Sequence, residues 1–160
     1  MIATDETLEK LSVTIHQEIH VKAPMDITFA SLLEQLGPSN QTPDGTSLSL
    51  RIEPWPGGRW YRDLGDDNGH FWAHVQAIKR PTLLEFVGPI FASFPFLSNV
   101  QYRLKEVDGG TLITFRHTGM GLFTDEHRAE MPKGWGSMHE RVRREAEAGA
   151  KQIAADTKKR

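Results

Sequence analysis

The feature that most limits what this chain can fold into is a change of period. Val13, Ile15, Gln17, Ile19 and Val21 alternate with Thr14, His16, Glu18, His20 and Lys22. Period two of this kind marks a half-buried strand. The pattern returns in Leu48, Leu50 and Ile52, and again in Val100, Tyr102 and Leu104. The last set is answered across an Asp108-Gly109 turn by Ile113, Phe115 and His117. After Thr118 the period becomes helical: Trp135, Met138, Val142, Ala146, Gly149 and Ile153 form one stripe. Strands joined by short turns pair antiparallel, and a single long helix must bury its stripe against their sheet. The pattern predicts an α+β fold, with a curved antiparallel sheet of six to seven strands wrapped around a long C-terminal helix. Residues 1–160 read as one domain with ragged ends at 1–10 and 156–160.

The remaining elements follow from local signals. Pro24 suits the first turn of a helix, Phe29, Leu32, Leu33 and Leu36 supply its apolar face, and Gly37-Pro38 stops it. Residues 37–47 are turn and loop formers. Strands Arg59–Gly65 and Phe71–Ile78 flank Asp66-Asp67-Asn68-Gly69, a hairpin signal. Closed symmetrically, that loop places Trp60 opposite Val75, Arg62 opposite Ala73 and Leu64 opposite Phe71, all inward. Tyr61 and Trp72 then face outward. A further strand is expected at Leu83–Val87. Thr124 can cap a short helical turn ending at Pro132, with the long helix starting near Gly134.

Composition removes whole classes of chemistry. The chain has no cysteine, which excludes disulfides, thiolate nucleophiles and iron–sulfur clusters. A net charge of −2 gives no general attraction to nucleic acid or to an anionic membrane. The apolar stretch Phe86–Leu97 is broken by Gly88, Pro89 and Pro95 and is too short to span a bilayer. Met1–Lys10 is acidic and polar, unlike a signal peptide, so a cytoplasmic protein is expected. Phosphate-loop, dinucleotide, nucleophile-elbow and zinc-protease signatures are missing, and neither a cofactor nor a metal is expected. His16, Glu18 and His20 share a strand face, but a flat strand on the solvent side splays such ligands apart.

Several segments, in this order, resemble the START-like SRPBCC superfamily, whose architecture is the helix-grip fold. They are Ile19-His20-Val21-Lys22-Ala23-Pro24, Trp55-Pro56-Gly57-Gly58-Arg59-Trp60, Ala73–Phe86 with Pro81, Asp108-Gly109-Gly110-Thr111, His117-Thr118-Gly119-Met120 and Gly134-Trp135. Within the superfamily the chain resembles the branch named for the activator of heat-shock chaperone ATPase, over about residues 13–155. Two departures stand out: residues 37–47 lack the Trp-bearing second short helix, and the closing helix is poor in leucine. The resemblance implies a space between sheet and long helix for an apolar or amphipathic small molecule. It leaves two other classes open: a cyclase, dehydratase or hydrolase type of enzyme in the same space, and a protein-interaction module acting on a chaperone.

Ten of the fourteen aromatic residues lie between Trp55 and Tyr102. The inward candidates for ligand contact are Trp60, Phe71, Phe86, Tyr102 and Phe115 on strands, with Trp135 and Met138 on the helix; ordinary core packing would use the same residues. Phe91, Phe94 and Phe96, in a loop with two prolines, read as a lid over the cavity mouth or as a homodimer contact. Arg62, if inward, needs a partner: a ligand acid, an internal acid, or a bulge that turns it out. His117 reads as a satisfied core histidine or as an acid–base group with Tyr102 as its polar neighbour. Arg141, Arg143, Arg144 and Lys151, interleaved with Glu140, Glu145 and Glu147, read as a solvated helix face.

Overall fold

The structure, a computed structural model, describes residues 5–160. Helix α1 (Asp5–Leu11) leads into strand β1 (Ser12–Val21), and helix α2 (Met25–Leu36) follows. Strands β2 (Leu50–Ile52), β3 (Arg59–Gly65), β4 (Asn68–Lys79), β5 (Leu83–Gly88), β6 (Phe96–Val107) and β7 (Gly110–Gly121) come next, and helix α3 (Asp125–Thr157) closes the chain. The seven strands form one antiparallel sheet in the order β1-β7-β6-β5-β4-β3-β2. The long helix packs over one face of this sheet, and α2 packs against α3. This is the α+β architecture that the change of period predicts and the helix-grip arrangement that the resemblance implies.

The β6–β7 hairpin has the expected register. Val100, Tyr102 and Leu104 oppose His117, Phe115 and Ile113, and Asp108 and Gly109, both at positive φ, make the turn. All six paired side chains are buried. On β1, Val13, Ile15 and Val21 are buried while His16 and His20 face solvent. Among the described residues no group of histidine and carboxylate side chains could hold a metal.

The β3–β4 hairpin departs from the expected register. The turn is two residues, Asp66-Asp67, both at positive φ, so that Gly65 pairs with Asn68. Two bulges follow. Leu64 is the extra residue on β3 and Trp72 the extra residue on β4, so Trp60 pairs with Ala73 but Tyr61 with Phe71 and Arg62 with His70. The expected facings of Phe71 and Trp72 are therefore exchanged. Phe71 is 40% exposed and packs beside His74, whereas Trp72 meets Trp60 edge to face on the helix-covered side. Leu64, at 57% exposed, is likewise outside. Gly88 at the end of β5 lies so close to this bulge that a Cβ would stand 2.4 Å from the Trp72 carbonyl oxygen.

Helix α3 also differs from expectation. It starts at Asp125 behind the Thr124 cap, where the Thr124 hydroxyl accepts from the His127 amide and the His127 ring accepts from the Thr124 amide. It then runs unbroken through Pro132. An interior proline costs about 3 kcal/mol. Here Met131 and Trp135, buried on either side of it, anchor the turn, and the Gln17 amide donates to the Pro132 carbonyl. Arg128 adds bonds to the Ser12 and Glu9 carbonyls. The buried stripe ends at Ala146; Ile153 lies beyond it and is exposed.

Candidate functional site

Sheet and helix do not close on each other everywhere. Between β3–β4 and the first half of α3 lies a cleft of about 560 Å³. Its inner wall is the Trp60, Trp72 and Trp135 rings with Met131 and Met138, and the loop after α2 forms the opposite rim. The Trp60 indole donates to the Leu36 carbonyl at 2.7 Å, which ties this wall to the end of α2. Trp60 and Trp135 lie 6.5 Å apart, tilted by 35°.

Phe91 stands at the mouth, 6.0 Å from Trp72 and 6.4 Å from Trp135. Its position is set by Ile90, a β-branched residue at φ 57° that is fully buried and donates its amide to the Trp72 carbonyl at 2.7 Å. Such a backbone conformation costs of order 1–3 kcal/mol and persists only where packing enforces it. The rest of the loop group is elsewhere. Phe94 stacks on His127, and Phe96, at the start of β6, is buried over Gly119 and packs edge to face on His117 and Phe123.

Polar side chains share the lining with this apolar wall. His70 accepts from the Trp72 indole at 3.1 Å. Arg141, expected on a solvated face, instead lines the cleft and donates to the Gln41 carbonyl and the Ser137 hydroxyl. Burial, with Arg144 nearby, lowers its pKa. Arg62 also faces the cleft, beside His70. Of the expected contact residues, Trp60, Arg62, Trp135, Met138 and Phe91 meet at this cavity. Phe71 is on the far face of the sheet. Phe86, Tyr102, Phe115 and His117 are buried in the core behind the wall.

That core holds two hydrogen-bonded histidines. His117 accepts at Nδ1 from the Trp135 indole, a donor only, so its proton is on Nε2 and is donated to the Ser98 hydroxyl at 2.7 Å. Tyr102 does not reach His117; its hydroxyl bonds His139 Nε2 at 3.0 Å. The Gln17 amide group donates to the Pro132 carbonyl, so its oxygen accepts from His139 Nδ1–H, and Tyr102 must donate to Nε2. Burial lowers the pKa of His117 to about 4 and that of His139 to about 3, and pushes the Tyr102 phenol well above its usual value. Both imidazoles are neutral and satisfied.

Residues 27–147 match the model of a family described as Activator of Hsp90 ATPase homolog 1-like protein. The chain belongs to that family. No curated protein matches it. Among solved structures, the Hsp90 ATPase activator homolog 1-like fold seen here resembles an uncharacterised protein from Rhizobium leguminosarum. The two are 17% identical, with 86% of this chain and 95% of that one covered and a TM-score of 0.66. It also resembles the di-domain ARO/CYC StfQ of the steffimycin biosynthetic pathway, at 14% identity and a TM-score of 0.65. That match covers 94% of this chain but 55% of StfQ, about half its length. Ara h 8.0201 aligns at 14% identity over 84% of this chain and 97% of its own, with a TM-score of 0.61. At such identities these structures show a shared fold.

Residues that sequence reasoning missed fall into two groups. His139 sits one helical turn after Trp135, so the stripe itself marked it. Trp72 and His70 are placed by bulges, for which the alternation carried no sign.

Proposed function

We propose that this protein binds an apolar or amphipathic small molecule in the cleft between β3–β4 and α3, with residues 1–160 acting as one domain. The observation that carries this reading is the cleft itself: about 560 Å³, with an inner wall of indole rings and methionines and polar side chains around it. Small-molecule sites are commonly cavities of roughly 300–1,000 Å³ with that composition. Phe91, held at the mouth by Ile90, is the lid residue. The fold shared with an ARO/CYC protein of a biosynthetic pathway supports the reading. Binding is favoured over catalysis because Tyr102 and His117 lie in the core and already have protein partners.

Native mass spectrometry of the purified protein, combined with titration by the neutral probe 2-naphthamide, tests this. The expected result is a co-purified small molecule, or saturable quenching of tryptophan fluorescence by the probe. Gly134 lines the cleft and its missing Cβ would point into open space. Gly134→Phe is therefore expected to fill the site and abolish binding without loss of fold. Probe binding that Gly134→Phe leaves untouched would refute the assignment.

A further inference from the structure

We propose that the cleft takes a flat aromatic acid, its carboxylate held by Arg62 and its ring laid against the Trp60, Trp72 and Trp135 wall. The proposal rests on the cleft being a ligand site, and it adds the charge and shape of the ligand.

Arg62 carries the argument. Its Nε is buried without a partner, and among the described residues the Arg62 side chain makes no hydrogen bond and no ion pair. The other two arginines around this strand are paired: Arg59 with Glu53 at 2.7 Å and Arg51 with Asp63 at 2.7 Å. Arg62 is thus the one left open, on the face that lines the cavity. Among the described residues neither way of satisfying it internally is present. The bulges displace Leu64 and Trp72 and leave Arg62 facing the cleft. Among the described residues the only acidic one lining the cavity is Glu130, which is bound to Lys133 at 2.9 Å.

The charge of the cavity is consequently opposite to that of the chain. Two arginines line it and its one carboxylate is neutralised, although the whole sequence carries −2. A low-dielectric cleft with one sign of charge concentrates ligands of the other sign. The Arg141 Nε is likewise buried without a partner, so a second guanidinium reinforces the field. A guanidinium is a planar fork that matches a carboxylate with two parallel bonds. The ring half of the ligand follows from the wall. Trp60 and Trp72 meet at 5.0 Å edge to face, and Trp135 continues the surface, which offers π faces and edges to a planar ring.

The test titrates the full-length chain with 2-naphthoate, its neutral counterpart 2-naphthamide, and the flexible acid decanoate, read by calorimetry and tryptophan fluorescence. Naphthoate is expected to bind at least tenfold more tightly than either of the others. Arg62→Gln should close the gap, bringing naphthoate down to the level of naphthamide, with the same melting temperature. Arg62→Lys should restore part of the gap, since it returns the charge without the fork. Equal binding of naphthoate and naphthamide by the unaltered chain, or a gap that survives Arg62→Gln, overturns the acid assignment while the cleft stands as a ligand site. Decanoate binding as tightly as naphthoate overturns the flat ring. If none of the three binds, the ligand-site reading fails and this proposal fails with it.

Discussion

Two hairpins of this sheet, β3–β4 and β6–β7, use the same turn device and end up with opposite interiors. Around β6–β7 the inward residues from Phe96 to Leu104 are buried, and His117 and Tyr102 on that face have partners. Around β3–β4 two extra residues break the ladder, the inner face opens into a cleft, and an arginine is left without a partner. An uninterrupted ladder brings side chains into close packing with the helix. A bulged one re-aims them and leaves space. The contrast predicts that the β6–β7 region carries stability and the β3–β4 region carries binding.

The largest expected effect is acid destabilisation centred on the β6–β7 region. An unfolded histidine has a pKa near 6.5, against about 4 for folded His117 and about 3 for folded His139. Above pH 6.5 neither state takes up a proton. Below it only the unfolded state does, so stability falls with pH until the folded pKa values are reached. Each group contributes about 1.4 kcal/mol per pH unit, so between pH 6 and pH 4 the two together approach a loss of about 5 kcal/mol. Urea titrations across that range measure it, with His139→Gln expected to halve the slope. A flat profile would mean that these imidazoles are not held neutral.

Next in size is Phe115→Ala, which empties a fully buried site between Tyr102 and Trp135. It should cost about 3–5 kcal/mol in denaturant unfolding. The matching change in the other hairpin, Trp72→Ala, should cost only about 1–2 kcal/mol while sharply weakening probe binding in the cleft. If Trp72→Ala proves as destabilising as Phe115→Ala, the division of labour between the hairpins is wrong.

The smallest effect lies outside both hairpins and serves as a baseline. Gly149 on α3 has room for a methyl group, since a Cβ would meet Ile27 at an ordinary 3.7 Å. Gly149→Ala should therefore raise the stability by about 0.5–1 kcal/mol through helix propensity, leaving probe affinity unchanged. A loss of stability would show that α3 and α2 are closer there than the contact implies.

How far the sequence could be read follows the same division. The register of β6–β7 was legible residue by residue, because an unbroken alternation and a two-residue Asp-Gly turn leave one solution. At β3–β4 the turn signal was equally plain. Its closing pair was not, because Asn68 and Gly69 belong to the strand and each bulge shifts the pairing. Arg62 was placed correctly on the inner face but opposite the wrong residue, and Phe71 and Trp72 were exchanged. Pro132 misled in another way: propensity argues for a break, and burial of Met131 and Trp135 overrides it. Arg141 read as one charge in a solvated run. Only the gap between helix and sheet makes it part of a cavity, and alternation carries no measure of gaps.

Trp72 has a consequence beyond its ring. It is one residue more than the β3–β4 ladder needs: without it Phe71 would adjoin Ala73, with Tyr61 and Trp60 still opposite them. The strand's length, and not only the identity of its residues, supplies the cleft with an indole. A lineage that gained or lost a single codon at this point would refurnish the cavity while inheriting the same sheet.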